Sequence, residues 1–178
     1  MKKIFLFLII FFYSFNSFSE ELGKFSKLKI PRFVSTKTLE SNLRIGADIS
    51  YPILIQYKFK NIPLQITDEY KDWRKVIDFE GNVGWMHKRL LKGNRFAIIA
   101  APYKEPVQIF NKPQGNTVGK IGKRNIVKII RCLNKWCLVE INQKKGWIGK
   151  NNLWGVYEKE VFKIPFYQFL INIYWKIL

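Results

Sequence analysis

Histidine is all but missing from this sequence. His87 is the sole one, accompanied by only two cysteines and two methionines. With so few donors, no His/Cys cluster of metal-ligand spacing can be drawn. No Ser, Cys or carboxylate is placed to make a triad with His87, which follows one apolar stretch and precedes Lys88-Arg89. It reads as a surface or turn residue. There is no Gly-rich phosphate loop and no carboxylate pair suited to acid–base hydrolysis. The sequence calls for no catalytic residue, no metal and no cofactor. Acid is scarce as well: 13 Asp and Glu stand against 31 Lys and Arg, a net charge of +18. That excess points to an anionic partner. It is equally what an AT-rich coding sequence produces, with 24 Lys to 7 Arg and frequent Ile, Asn, Phe and Tyr.

Neither terminal apolar run is long enough to cross a bilayer, which takes about 20 residues. The first has the layout of a secretory signal peptide over residues 1–19. Lys2 and Lys3 lead, Ile4 to Phe12 are apolar, and Ser17-Phe18-Ser19 offers small residues for cleavage before Glu20. No cysteine sits near that point, which argues against a lipid-modified N-terminus. The expected location is periplasmic, and nucleic acid therefore ranks low among partners. What remains after cleavage amounts to one ordinary domain or two very small ones.

An internal repeat decides for two. Asp72-Trp73-Arg74-Lys75-Val76 precedes Gly84-Trp85-Met86, and Lys135-Trp136-Cys137-Leu138-Val139 precedes Gly146-Trp147-Ile148. The tryptophans are 12 residues apart in the first unit and 11 in the second, with offsets between units of 63 and 62. Upstream, Asn42-Leu43-Arg44-Ile45 matches Pro106-Val107-Gln108-Ile109 at an offset of 64. The units are assigned to residues 33–93 and 94–157, after a linker at 20–32.

Each unit reads as short strands. Leu64-Gln65-Ile66-Thr67 alternates apolar and polar as a half-buried strand does. Trp73–Ile77 follows a polar turn, and Val83–His87 returns after Glu80-Gly81-Asn82. The second unit repeats this with Ile126–Cys132, Trp136–Ile141 and Gly146–Gly149. Strands at this spacing indicate an all-β barrel or sandwich. A turn at Asn134-Lys135 sets Cys132 and Cys137 opposite each other on a hairpin. Directly opposed residues at a non-hydrogen-bonded site have Cα atoms about 4.5 Å apart, within disulfide range. In an oxidising compartment a disulfide is expected, the other reading being two free thiols.

At these residues the chain resembles the bacterial SH3 (Src-homology-3-like) domain. The first unit carries the pattern in Asn42-Leu43-Arg44-Ile45-Gly46, Tyr51-Pro52, Asp72-Trp73, Gly84-Trp85-Met86 and Leu90-Leu91. The second carries its latter half, with Gln108 in place of the Arg and Phe110 in place of the Gly. The resemblance implies two tandem SH3-like small β-barrels. It also implies a binding role without chemistry, since related barrels often accompany cell-wall peptidases. Trp85 and Trp147 are expected to fill the barrel cores. Arg44, Tyr51, Tyr57, Tyr70, Trp73 and Arg74 form the candidate ligand groove. Aromatic faces there would contact an extended chain, and guanidinium groups would pair with its carboxylates. The same aromatics could equally pack between the two barrels. The ligand implied is a cell-wall stem peptide or an envelope protein.

Residues 158–178 differ in character. After Pro165 only Gln168, Asn172 and Lys176 are polar, spaced by four. On a helix they form one narrow stripe, and the rest is apolar. Such a helix could pack on the barrels, join a second copy, or lie in a membrane interface through residues 161–178. The last option makes a basic membrane-surface scaffold the alternative to an envelope binding module.

Overall fold

The computed structural model describes residues 21–100 and 106–163. The stretch expected to be a signal peptide, the cleavage site expected near Ser19/Glu20 and the apolar segment from residue 164 onward lie outside the described residues. In the first unit β1 (Arg32–Thr36), β2 (Ser41–Arg44), β3 (Ile53–Tyr57), β4 (Pro63–Tyr70), β5 (Trp73–Ile77), β6 (Val83–His87) and β7 (Leu91–Lys92) form one antiparallel sheet. Its order is β3-β2-β6-β5-β4-β1-β7. In the second unit β8 (Phe96–Ile99), β9 (Val107–Phe110), β10 (Thr117–Ile121), β11 (Ile126–Cys132), β12 (Trp136–Ile141), β13 (Lys144–Gly149) and β14 (Leu153–Trp154) repeat that order as β10-β9-β13-β12-β11-β8-β14. A 3-10 turn precedes the last strand of each, Lys88–Leu90 and Lys150–Asn152.

Each sheet curls around its own core. Val34 on β1 and Leu43 on β2 share one buried cluster with Leu64, Ile66, Val76 and Met86, although three strands separate β1 from β2 in the sheet order. The second cluster holds Val107, Val127, Ile129, Val139 and Ile148 with both cysteines. These are the inward positions of period-two strands, as in the burial pattern of β5 and β12.

That alternation corrects the expectation for the Gly-Trp pairs. Trp85 and Trp147 are only half-buried, while Met86 and Ile148 beside them are completely enclosed. The residue pointing inward before each Trp is the glycine. A Cβ at Gly84 would stand 2.7 Å from Leu43 Cγ and from the Arg44 carbonyl, and one at Gly146 would collide with Ile109. The glycine is there so that β2 or β9 can cross β6 or β13 closely, and the Trp next to it must face outward. The same crossing re-registers the repeat. Arg44 lies opposite Trp85, and Phe110 opposite Trp147. In space the offset of this strand is therefore 66, not 64, and Phe110 replaces Arg44.

The one-residue difference in Trp spacing is absorbed in the following hairpins. Ile141 pairs with Lys144 across a two-residue turn in which Asn142 and Gln143 both have positive φ, 46° and 64°. That is the type I′ geometry that suits the strand twist. Its counterpart runs from Ile77 to Val83 and is organised by buried Asp78, whose Oδ1 accepts the N–H groups of Glu80 and Asn82 at 2.9 Å each.

The stretch read as a linker is folded onto barrel 1. Leu22 bridges Lys29, and the Glu69 carboxylate accepts bonds from Ser26 N at 2.8 Å and Ser26 Oγ at 2.6 Å. At the other end, residues 158–163 form a turn and a β-bridge between Cys132 and Phe162, not a helix. The barrels meet through Phe33. Its ring is 5.3 Å from Trp154 and 4.8 Å from Tyr157, with the Arg95 guanidinium 5.6 Å away. Gln65 Nε2 donates to Tyr157 Oη at 3.2 Å, and Arg124 pairs with Glu80 at 2.9 Å.

Candidate functional site: one groove on each barrel

In barrel 1 the β2–β3 loop arches toward the β4–β5 turn. Asp48 Oδ1 accepts from Ser50 N at 2.9 Å and Ser50 Oγ at 2.8 Å, which braces the loop tip. These bonds, the backbone one first, hold the Asp48 carboxyl below its usual range. Arg44 Nη1 donates to the Tyr51 carbonyl at 2.7 Å. The Tyr51 ring covers Gly46, where any Cβ would stand 2.5 Å from it.

Facing this loop, Trp73 stacks edge-on against His87 with centroids 5.3 Å apart. His87 Nδ1 in turn accepts from Arg89 N at 3.3 Å, which fixes the ring at the start of the 3-10 turn. Lys88 pairs with Asp72 at 2.8 Å, and that bond is the main cause of the lowered Asp72 pKa. Two adjoining clefts of 410 and 560 Å³ share Asp48, Trp73 and His87. Arg44, Ile49, Asn42 and Leu90 line the first, and Tyr51, Tyr70 and Lys71 line the second. Asn42 Oδ1 is buried there with no donor among the described residues.

Four of the six candidate residues thus converge: Arg44, Tyr51, Tyr70 and Trp73. Tyr57 and Arg74 line neither cleft. Tyr57 Oη donates to Asp78 Oδ2 at 2.8 Å, and burial, helped by that acid, pushes its pKa far above the usual phenol range. Arg74 is buried, with Nε 3.2 Å from Glu69 Oε1 and Nη1 on the carbonyls of Lys71 and Trp73. Their alternation phase sends both away from the groove. The aromatics packed between the barrels are Phe33, Phe79, Trp154 and Tyr157 instead. Asp48 and Ile49 are not legible in the sequence because nothing in a loop's composition says which way it folds back. His87, expected as a surface or turn residue, ends β6 and lines the groove because that loop reaches it.

Barrel 2 carries a cavity of 930 Å³ in the corresponding place. Trp136, the counterpart of Trp73, stacks edge-on against Phe110 at 5.3 Å. Lys135, Lys150, Lys159 and Glu158 contribute charge, and Gln114, Asn134, Asn151 and Asn152 contribute carboxamides. Lys150 is buried, and its Nζ donates to the carbonyls of Glu158, at 2.9 Å, and Glu160. On the hairpin that carries Trp136 the disulfide Cys132–Cys137 is formed, with Cα atoms 4.1 Å apart and both residues fully enclosed. Cys132 exchanges both its backbone bonds with Phe162, so its pairing with Cys137 is of the non-hydrogen-bonded kind. Among the described residues no group of His, Cys, Asp and Glu could hold a metal ion.

Comparison with known proteins agrees with this duplication. The family described as "Bacterial SH3 domain" matches residues 37–93 and again 104–155. No curated protein matches the sequence. The chain is similar to the solved structures of NlpC1 and NlpC2 from Trichomonas vaginalis. Identity is 13% to the first, over 74% of this chain and 48% of that one, with a TM-score of 0.33. For the second it is 10%, over 75% and 51%, again with a TM-score of 0.33. The chain thus spans about half the length of either. With one strand order used twice, one glycine crossing used twice and the family matched over both units, the chain belongs to the bacterial SH3 domain family and carries the domain in tandem.

Proposed function

We propose that this protein is an exported, non-enzymatic binding module of the cell envelope, and that the barrel 1 groove takes an extended peptide. The observation that carries this reading is the convergence of Tyr51, Tyr70 and Trp73 with Arg44, Asp48 and His87 around two adjoining clefts. Aromatic faces give an extended chain contact area at little entropic cost. Arg44 and Lys71 against Asp48 and Asp72 make a wall of balanced charge, which suits a peptide bearing both carboxylates and amines. The disulfide supports a compartment outside the cytoplasm, and the envelope peptide of a periplasmic protein is the wall stem peptide or a neighbouring protein.

Pull-down on purified sacculi tests this. Retention at low salt is expected, weakened about tenfold or more by Trp73→Ala, as for a central aromatic contact. Protein that stays in the supernatant at low salt would sink the wall reading.

A further inference from the structure

We propose that the barrel 2 cavity is a second, chemically different binding site and that it takes an acidic saccharide chain. Three features of its wall carry this. The first is a floor of two rings, Trp136 and Phe110, held edge to face. The apolar C–H face of a pyranose covers an indole well, and the flat ring loses little freedom on binding. The second is the set of four carboxamides around that floor. Each places donors and an acceptor side by side, which matches vicinal hydroxyls that are themselves donors and acceptors. The barrel 1 groove has one such group, Asn42.

The third feature is charge. Lys135, Lys150 and Lys159 stand against Glu158 alone. Among the described residues neither Lys135 nor Lys159 is paired with a carboxylate. Lys150 is the fixed part of the wall: 7% exposed, it spends two of its N–H groups on backbone carbonyls and keeps a third. The excess extends over the whole barrel. Residues 94–157 hold twelve Lys and Arg against two acids, whereas residues 33–93 hold ten against seven. A cleft lined by one sign of charge concentrates the opposite sign. The ligand is therefore a sugar polymer that carries anionic groups, carboxylate or phosphate, along its length. This assignment stands apart from the peptide reading of barrel 1, and either can fail alone.

The test is calorimetric titration of the full chain with four probes. These are wall glycan strands stripped of stem peptides, a phosphate-bearing sugar polymer, a neutral chito-oligosaccharide and inorganic polyphosphate. One acidic sugar polymer should bind about tenfold or more tightly than the neutral oligomer, and its preference over the other names carboxylate or phosphate as the anionic group. Trp136→Ala should weaken it about tenfold. Lys135→Glu with Lys159→Glu, two exposed positions that leave the fold alone, should do the same. Trp73→Ala, a change in the barrel 1 groove, should leave it unchanged, which separates this site from barrel 1. Equal binding of the neutral oligomer, polyphosphate binding as tightly as either sugar polymer, or insensitivity to the lysine pair would each overturn the proposal.

Discussion

At the same point of the two barrels the chain solves one packing problem with opposite chemistries. In barrel 1, β4 bulges between Ile66 and Asp68 and then places Glu69 opposite Arg74. In barrel 2, β11 bulges between Ile129 and Arg131 and places Cys132 opposite Cys137. The bulge reverses the alternation and turns the next residue inward at the end of the barrel. Barrel 1 fills that place with a buried ion pair: the Glu69 side chain is wholly enclosed, 2.9 Å from Arg32 and 3.2 Å from Arg74. Barrel 2 fills it with a covalent bond. Burial pushes the Glu69 carboxyl up, but hydrogen bonds from Ser26 and Arg32 and the charge of Arg74 outweigh it and bring its pKa to about 2. Each device also anchors a terminal segment. Glu69 holds residues 25–26, and the Cys132 backbone holds Phe162. The two buried pairs thus answer to different variables, pH for Glu69–Arg74 and redox state for Cys132–Cys137.

The largest expected effect is on Glu69. Glu69→Gln leaves Arg74 buried beside a neutral group, and breaking one partner of a buried pair costs about 3–5 kcal/mol. Amide exchange should rise across β4, β5 and residues 21–30, with β11 and β12 still protected. An equal rise in both barrels would refute a role for Glu69 confined to barrel 1.

Acid should act on the same contrast slightly less strongly. The folded pKa of Glu69 lies below its ordinary 4.5. Its contribution, about 3 kcal/mol, is therefore full above pH 4.5 and is lost as pH falls toward 2. Barrel 1 amides should lose protection over that window first. In barrel 2 only residues 157–163 should loosen, where Glu160 is opposed by burial but held below its usual range by Arg95. Glu69→Cys with Arg74→Cys sharpens the comparison: it should close a second disulfide, detectable as absent free thiols, and remove the acid step from barrel 1.

Replacing both native cysteines comes next. Closing so short a loop stabilises by about 2 kcal/mol in the chain-entropy account. Cys132→Ala with Cys137→Ala should lower the unfolding free energy of barrel 2 by that amount, read from urea denaturation, and leave barrel 1 unmoved. The smallest effect falls on the outward tryptophan. Trp85→Ala should cost less than about 2 kcal/mol, and Met86→Ala, which empties a fully buried site, about 2–5. Equilibrium unfolding in urea ranks the two. A larger loss at Trp85 would return it to the core.

Much of the fold was legible because strand period and turn composition are local. Trp73–Ile77, Val83–His87, Ile126–Cys132 and Trp136–Ile141 have the same bounds in the sequence reading and in the structure. The disulfide was legible for the same reason, since a hairpin sets its own opposing pairs. The groove was only partly legible. Arg44, Tyr51, Tyr70 and Trp73 flank turns that meet, whereas Tyr57 and Arg74 were chosen for residue type, and strand phase carries both away. Asp48 and His87 come together only through the long β2–β3 loop.

By itself the sequence determined the duplication, the all-β character, the hairpins and the covalent pair, because each is written in spacings of a few residues. Tertiary structure alone decided which face each tryptophan shows, that residues 21–31 belong to barrel 1, and that the two grooves differ in charge. Those outcomes depend on how sheets curl and which distant loops meet. Contacts of that kind are chosen by packing among strands far apart in the chain, and no local spacing encodes them.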